Sequence, residues 1–264
     1  MTREELRRSL QRLELSGEAV VVHAHLQGLG LEEATGGAWL CETLLEAVGS
    51  GTILLPAFTP QTIVDKDAHD EAGAPRVPIA FHPDLPTQDP VVEVFRHFPG
   101  ALRSQHPTHS FVALGPLARE LLSTHRDNNP LGPLKKLNLH RGHVVLLGTN
   151  LQHAAALHLA LEEKIPAAQT RRTALRINAA GYVERAVVDH FPGCNRAFDK
   201  LEPLLAGDMQ TVVPLPTAVL RKIPLRYLLQ LAHSVLQQDP AALFCNQRDC
   251  ATCVAAKDRL SRVA

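Results

Sequence analysis

Short apolar runs rich in valine, isoleucine and leucine alternate along the chain with longer segments whose apolar residues recur at helical spacing. The runs predict β-strands, and the longer segments predict helices. The predicted strands are residues 19–23, 52–56, 111–114, 144–148 and 211–213, and the predicted helices are residues 39–48, 90–97, 117–124, 154–163 and 225–238. Strands that alternate with helices indicate an α/β fold, with a sheet flanked by helices.

One long segment, residues 56–90, interrupts this alternation because it is rich in Pro, Asp, His and Gly. Loops of this length inside a compact domain tend to be functional, so we expect a lid that helps to select a substrate. It contains the chain's clearest acidic group, Asp65, Asp67, Asp70 and Glu71. Since no linker divides the chain, we predict a single domain over residues 1–264, with a cysteine-bearing C-terminal tail at residues 241–264 within it.

Charge and composition narrow the function classes. The 27 basic residues balance the 27 acidic ones, which argues against a general nucleic-acid binder or a membrane-surface protein. The N-terminal residues 1–17 form an amphipathic pattern without the apolar region of a signal peptide, and no run is long enough to span a bilayer. We therefore expect a cytoplasmic protein. The 14 histidines raise the question of metal binding or proton transfer.

The first strand ends in two histidines, His23 and His25. Alternate strand residues face the same side, so both rings could converge on a metal ion. The alternative is that one ring is buried and hydrogen-bonded while the other lines a loop. The chain then passes through a glycine-bearing loop to a helix predicted to begin at Gly36-Gly37, where backbone N–H groups could bind an anion.

Two later motifs bring further polar side chains to strand ends. The segment from Arg103 to Ser110 holds Arg, Ser and His residues that could bind phosphate, or it could be a polar turn fixed by Pro107. The predicted helix 154–163 places Glu162 four residues after His158, so that both lie on one face. A carboxylate that accepts a hydrogen bond from one nitrogen of the histidine ring leaves the other nitrogen free to accept a proton. The alternative is a solvated histidine on an alanine-rich helix.

The order of these motifs resembles the aminoglycoside 3-N-acetyltransferase family, antibiotic N-acetyltransferases that do not share the common GNAT fold. The matching positions are Val22-His23-Ala24-His25-Leu26 with Gly30, Gly36-Gly37, Gly51-Thr52-Ile53-Leu54-Leu55-Pro56-Ala57-Phe58-Thr59, Arg103-Ser104, His106-Pro107, Ser110, Ala113, Gly115 and Leu157-His158-Leu159-Ala160. The resemblance covers nearly the whole chain. It implies a single domain with a mostly mixed central β-sheet flanked by helices.

The resemblance also implies acetyl-CoA as cosubstrate and transfer of an acetyl group to a primary amine of an aminoglycoside-like or amino-sugar substrate. His158 matches the family's general base for direct transfer, with a pKa near neutrality and with Glu162 as its supporting carboxylate. The residues implied to contact the cosubstrate are His25, Gln27, Gly30, Arg103, Ser104, His106 and Ser110. The implied partner is a small-molecule amine, with neither nucleic acid nor membrane, and a homodimer is one possible assembly.

The sequence departs from the family pattern at three points. The family serine of the first loop is His25, the threonine before the histidine is Ala155 or Ala156, and the glutamate three residues after it is Leu161. These departures keep a catalytically degenerate, CoA-binding member open as an alternative. A metal-dependent hydrolase built on the His23/His25 pair is a second alternative.

Three cysteines lie close together near the C-terminus, at Cys245, Cys250 and Cys253. Three thiolates and a histidine could bind zinc in tetrahedral geometry, but the spacing supplies no fourth ligand. A structural metal, a disulfide and free thiols all remain open, and none of them makes the tail catalytic.

Overall fold

The computed structural model describes residues 1–64, 77–165 and 170–262. Its helices are α1 Arg3–Gln11, α2 Glu33–Val48, α3 Pro90–Phe95, α4 Ala118–Ser123, α5 Gly132–Leu139, α6 Leu157–Lys164, α7 Leu225–Gln238 and α8 Ala251–Ser261. Its strands are β1 Ala19–Ala24, β2 Thr52–Pro56, β3 Leu102–Arg103, β4 Phe111–Leu114, β5 His143–Leu147, β6 Thr170–Ile177, β7 Val183–Phe191, β8 Thr211–Pro214 and β9 Val219–Pro224.

Seven strands form one mixed sheet in the order β3-β4-β2-β1-β5-β9-β8. The central strand β1 runs parallel to both β2 and β5, while β4 and β9 add antiparallel partners outside them. The carboxyl ends of three parallel strands therefore meet at one edge of the sheet. This topology confirms the predicted single-domain α/β fold with a mixed central sheet.

Both faces of the sheet are covered by helices, which explains why its central strands read as continuous apolar runs. Successive residues of β1 point to opposite faces: Val21 belongs to the core beneath α4 to α8, whereas Val20 and Val22 belong to the core beneath α1 to α3. The N-terminal amphipathic segment forms α1. Thr2 and Glu5 cap the N-terminus of this helix through reciprocal hydrogen bonds, each from a backbone N–H to the other residue's side chain.

The predicted positions of the central strands and of the helix at 225–238 are confirmed. The predicted start of α2 at Gly36-Gly37 is wrong, because the helix begins at Glu33. Both glycines lie inside it at points of close packing: a Cβ on Gly36 would meet Leu31 Cβ at 2.7 Å, and one on Gly37 would meet Val94 Cγ2 at 3.3 Å. The helix predicted over 154–163 begins only at Leu157, after a 3₁₀ turn.

The antiparallel hairpin β6–β7 forms a second, two-stranded sheet that the apolar pattern did not predict. It pairs with the ends of the long segment between β2 and α3, through bridges from Ile63 to Ala174 and from Phe81 to Arg176. The acidic group predicted for the lid, and the lid's central residues 65–76, lie outside the described residues. None of the helices formed by the described residues is long and apolar enough to cross a membrane.

Candidate active site

A cavity of about 530 Å³ opens where the carboxyl ends of β1, β2 and β5 meet. Binding sites of α/β sheets form beyond the carboxyl ends of the strands, and this volume lies in the range of small-molecule sites. Apolar residues such as Leu55 and Phe58 line it together with His23, His25 and His158. The structure therefore brings the first and third sequence motifs to one cavity.

His158 is the second residue of α6, and it lies half-buried in the cavity wall. Its ring packs edge-on against Phe198, with 4.8 Å between ring centroids. Burial lowers the pKa of His158 to about 4, below the near-neutral value expected from the sequence, because the surrounding apolar groups disfavour the charged ring. The imidazole is consequently neutral at physiological pH and able to accept a proton.

Polar contacts fix the loop between β5 and α6 that presents His158. The backbone N–H of Leu151 donates to Glu202 Oε1 at 2.9 Å, and Arg221 Nη1 lies 3.1 Å from the other carboxylate oxygen. Asn195, itself in the cavity wall, donates from Nδ2 to the carbonyl of Gln152 at 2.8 Å. The loop that carries the histidine is thus held by residues more than 40 positions away.

His158 also lines a second, small cavity of about 30 Å³. Glu162 lines this cavity as well, and its Oε1 accepts a hydrogen bond from Lys135 Nζ at 2.6 Å. The Glu162 carboxylate is therefore paired with a lysine of α5. The role of Glu162 as the carboxylate that supports His158 stays a prediction.

Two histidines and one aspartate gather elsewhere along the cavity wall. His25 Nδ1 accepts from the backbone N–H of Gly28 at 3.1 Å, and His153 Nδ1 lies 2.7 Å from Thr149 Oγ1. Asp89 accepts from the first backbone N–H groups of α3. Burial raises the pKa of Asp89, opposed by those hydrogen bonds, and burial lowers the pKa of His153, with His25 adding to the effect.

The sequence motifs did not identify Asp89 and His153 as residues of the cavity. The sequence did mark Asp89 as the N-terminal cap of a helix, because an aspartate directly before a proline is typical of a helix N-terminus. No local pattern marked His153, whose position at the cavity depends on the turn that precedes α6.

Close backbone packing shapes the loop after β1. A Cβ on Gly28 would lie 2.0 Å from the carbonyl oxygen of Gly148, at the end of β5, so only glycine lets the two segments touch. Gly30, a predicted cosubstrate contact, has a φ of 64°, and its carbonyl accepts from the N-terminal amine of Met1 at 3.3 Å. Gln27, the remaining predicted contact of this loop, is exposed and lines the cavity.

Arg103, predicted to contact phosphate, has its guanidinium donors engaged within the protein. Nη1 donates to the carbonyls of Pro83 and Leu85, the former at 2.9 Å, and Nε donates to Ser110 Oγ at 3.1 Å. The guanidinium also lies over the Phe81 ring, 5.3 Å from its centroid. Burial lowers its pKa to about 10. These contacts tie the end of the long loop to the sheet, and the phosphate contact stays a prediction.

The other residues of the central motif form a buried polar cluster beside the sheet. Ser104 Oγ accepts from the backbone N–H of Phe111 and lies 2.8 Å from His125 Nδ1. His106 Nδ1 accepts from the backbone N–H of His109 at 3.0 Å, and its ring stacks on His125 at 4.5 Å. Ser110 Oγ donates to the carbonyl of Ala57 at 2.6 Å. Ser104, His106 and Ser110 are all buried, and their predicted cosubstrate contacts stay predictions.

The His23/His25 pair does not assemble a metal site with a third ligand among the described residues. Within them, Cys194, Cys245, Cys250 and Cys253 are the one group of three or more His, Cys, Asp or Glu side chains that could hold an ion. Burial lowers the pKa of His23 to about 3, and nearby His153 adds to this shift. The metal-dependent hydrolase accordingly finds no support in the cavity.

The fold and cavity together define an α/β protein with a small-molecule site at the carboxyl edge of a mixed sheet and a neutral histidine in its wall. The sequence profile of the aminoglycoside 3-N-acetyltransferase family matches residues 21–237. The chain belongs to this family, as its motifs predicted.

Individual relatives agree with this assignment. The chain is 35% identical over 173 residues to aminoglycoside N(3)-acetyltransferase IX of Micromonospora chalcea, an alignment that covers 60% of each protein. It is 30% identical over 185 residues to the aminoglycoside N(3')-acetyltransferase-like protein YokD of Bacillus subtilis, covering 62% of this chain and 66% of the relative. The matched part thus spans about three fifths of the first of these relatives.

Solved structures match over more of the chain. Aminoglycoside acetyltransferase AAC(3)-IVa as the apoenzyme superimposes with a TM-score of 0.75 and 25% identity, covering 97% of this chain and 96% of that one. A structure described as AAC-IIIb binary with CoASH superimposes with a TM-score of 0.74 and 26% identity, covering 90% and 97%.

Proposed function

We propose that the protein is an acetyl-CoA-dependent N-acetyltransferase that acts on a primary amine, with His158 as general base. The observation that carries the proposal is the position of His158, half-buried in the wall of the 530 Å³ cavity. Membership in the acetyltransferase family and the CoA named for a related structure support it. Cavity and histidine together offer a place where an amine and a thioester could meet.

The reaction proceeds by direct transfer. The amine nitrogen forms a bond with the acetyl carbonyl carbon, His158 accepts a proton from that nitrogen, and the carbon–sulfur bond breaks. The imidazolium then returns the proton to the leaving thiolate, so no covalent enzyme intermediate is needed. A buried imidazolium is costly, which favours rapid return of the proton to sulfur.

Glu162 supports His158 across the small cavity that both residues line. That cavity is large enough for a water molecule, which could connect the carboxylate to the ring and stabilise the imidazolium. Lys135, paired with Glu162 at 2.6 Å, would hold the carboxylate in place. Glu162 is therefore a positioning residue in this scheme.

The cosubstrate contacts divide into two groups. His25 and Gln27 line the cavity directly, so these residues and the backbone around Gly30 would hold the pantetheine chain. Arg103, Ser104, His106 and Ser110 would act mainly by fixing the segment that packs beside the site, given their internal hydrogen bonds. This assignment predicts loss of stability, rather than selective loss of CoA affinity, when the second group is altered.

The described part of the cavity wall favours an acceptor with few positive charges. Among the described residues of the cavity wall, Asp89 is the one acidic side chain, whereas a polycation favours several carboxylates. A carboxylate can pair with one ammonium group of an amino sugar. We therefore favour an amino-sugar acceptor over a polycationic aminoglycoside, although related structures are described in complex with a gentamicin and with apramycin.

Thiol release from acetyl-CoA tests this function. Wild-type protein is assayed with glucosamine, gentamicin and a panel of other primary amines, and mass spectrometry identifies the acetylated product. His158→Gln should lower kcat by roughly 10²- to 10⁴-fold, as expected for loss of a general base. The exposed His82 provides the control, since His82→Gln should leave kcat unchanged.

Thermal shifts separate the alternatives. CoA at about 100 times its Kd should add about 2.7 kcal/mol of stability. Stabilisation by CoA without turnover of any amine would favour the degenerate, CoA-binding member. Equal rates for wild type and His158→Gln would refute the proposed base, and a lack of any response to CoA would refute the acetyltransferase assignment itself.

A further inference from the structure

Four of the five cysteines come together beside the C-terminal helix. Cys245, Cys250 and Cys253 are buried, Cys194 is half-buried, and their sulfur atoms all lie within 4.8 Å of one another. Cys194 follows β7 and is more than 50 residues from the other three, so the fold supplies the fourth thiol that the C-terminal spacing lacked. The fifth, Cys41, is buried in α2 and outside this group.

We propose that this four-cysteine cluster binds one zinc ion in a closed, structural site. Zinc–thiolate bonds are about 2.3 Å long, and a tetrahedron of such bonds sets its sulfur atoms about 3.8 Å apart. Sulfur atoms that already lie within 4.8 Å reach this arrangement with small side-chain rotations. Because all four ligands come from the protein, no position is left for water or substrate, and the ion has a structural role.

The backbone around the cluster is suited to thiolates. The N–H of Arg196 donates to Cys194 Sγ at 3.4 Å, and the N–H of Gln247 makes the corresponding contact with Cys245. Each donor lies two residues after its cysteine. Hydrogen bonds of this kind orient metal-bound ligands and stabilise their charge. Two separate segments of the chain therefore offer the same support to sulfur.

Helix α8 and nearby cations complement the charge of the site. Cys250 is the N-cap of this 11-residue helix and Cys253 lies in its first turn, where the helix dipole favours negative charge. Lys257 donates from Nζ to the carbonyl of Cys245 and to Asn246 Oδ1, both at 3.0 Å. Zinc with four thiolates carries a net charge of about −2, which Lys257 and Arg196 would partly offset.

The cluster joins the C-terminal helix to the wall of the main cavity. A Cβ on Gly193 would meet Thr252 Cγ2 at 3.1 Å, so the segment after β7 lies directly against α8. The next residues, Cys194 and Asn195, lead to the hydrogen bond that holds the loop before His158. A zinc ion here would fasten both segments, although its presence does not depend on the activity proposed above.

Metal analysis of the full-length protein tests the site. Protein purified under reducing conditions without chelator should contain one zinc ion per chain by mass spectrometry of the metal. A mercurial reagent that blocks thiols should release it to a chromogenic indicator. Cys245→Ser and Cys250→Ser should lose the ion and unfold at lower temperature, whereas Cys41→Ser should retain one zinc.

Cobalt substitution keeps the test independent of whether the variants fold. Wild-type protein refolded with Co²⁺ should show thiolate-to-metal charge-transfer bands and the strong ligand-field bands of a tetrahedral site, and added zinc should abolish them. The proposal is overturned if reduced wild-type protein binds neither ion stoichiometrically, if it holds iron instead, or if Cys245→Ser and Cys250→Ser keep a full zinc complement. Disulfides among these cysteines in the native protein would also overturn it.

Discussion

Acidification should destabilise the protein steeply because three histidines are buried in its interior in the neutral form. His106, His109 and His125 are 3%, 7% and 8% exposed, and their rings lie in contact. Burial is the first cause that lowers the pKa of each, to about 2 for His106 and about 3 for the other two. Their mutual repulsion when protonated adds to the effect for His106.

The direction of the pH dependence follows from which state, folded or unfolded, binds more protons. In the unfolded chain each ring titrates near 6.5, so between this value and the folded pKa the unfolded state holds more protons. The stabilisation is fully present above about pH 6.5 and is lost as the pH falls towards the folded pKa. Lowering the pH from about 7.5 to about 5.5 reduces the free energy of unfolding by the equivalent of about one pKa unit for each buried ring. For the three rings together, the reduction is roughly 4 kcal/mol.

Urea unfolding at a series of pH values measures this loss. A domain with an ordinary stability of about 5–15 kcal/mol should lose a large part of it by about pH 5.5. His125→Gln should remove about one third of the loss that His106, His109 and His125 contribute together, because one of these three titrating rings is gone. His82→Gln, an exposed substitution, should leave the three buried rings and the slope intact. A free energy of unfolding that stays constant across this interval would refute the reasoning.

Three further substitutions test the site and its supports. Arg103→Lys should cost about 2 kcal/mol in urea unfolding, because lysine keeps the charge but cannot reproduce the forked contacts to the carbonyls of Pro83 and Leu85 and to the Ser110 hydroxyl; unchanged stability would contradict the structural role. Glu162→Gln should lower kcat more than KM and shift the pH profile of kcat, since His158 loses a carboxylate; an unchanged profile would argue against their coupling. Gly28→Ala should cost about 1–3 kcal/mol by overpacking, whereas Gly207→Ala, which has nothing within 4 Å, should be close to neutral.

The central strands could be predicted because their burial on both sheet faces leaves a purely local signal. Residues 52–56 and 111–114 read as short apolar runs, and the structure has strands at those positions. The hairpin β6–β7 gave no such signal, since its strands are largely exposed and carry arginines among their apolar residues. Its position depends on pairing with Ile63 and Phe81, which lie about 100 residues earlier in the chain.

Side-chain roles were harder to predict than strand positions because short polar motifs do not reveal which groups fold inward. The Arg103–Ser110 motif is one of the stretches that match the family pattern, yet in this chain its polar atoms mostly bond to one another and to backbone. His158, by contrast, is presented to the cavity by a turn whose supports come from Asn195 and Glu202. No sequence pattern near His158 predicts those contacts.

The buried histidines and the four-cysteine cluster both contact the chain near the end of β7. The buried histidines stabilise the sheet edge only while they stay neutral. The proposed zinc site would fasten the stretch after β7, and Phe191, the last residue of β7, packs against His109 with 4.8 Å between ring centroids. Cys194 and Asn195 follow a few residues later and lead to the loop before His158. Loosening either group should therefore disturb the cavity wall before it disturbs the central sheet, so that cosubstrate binding would weaken at a milder pH than global unfolding.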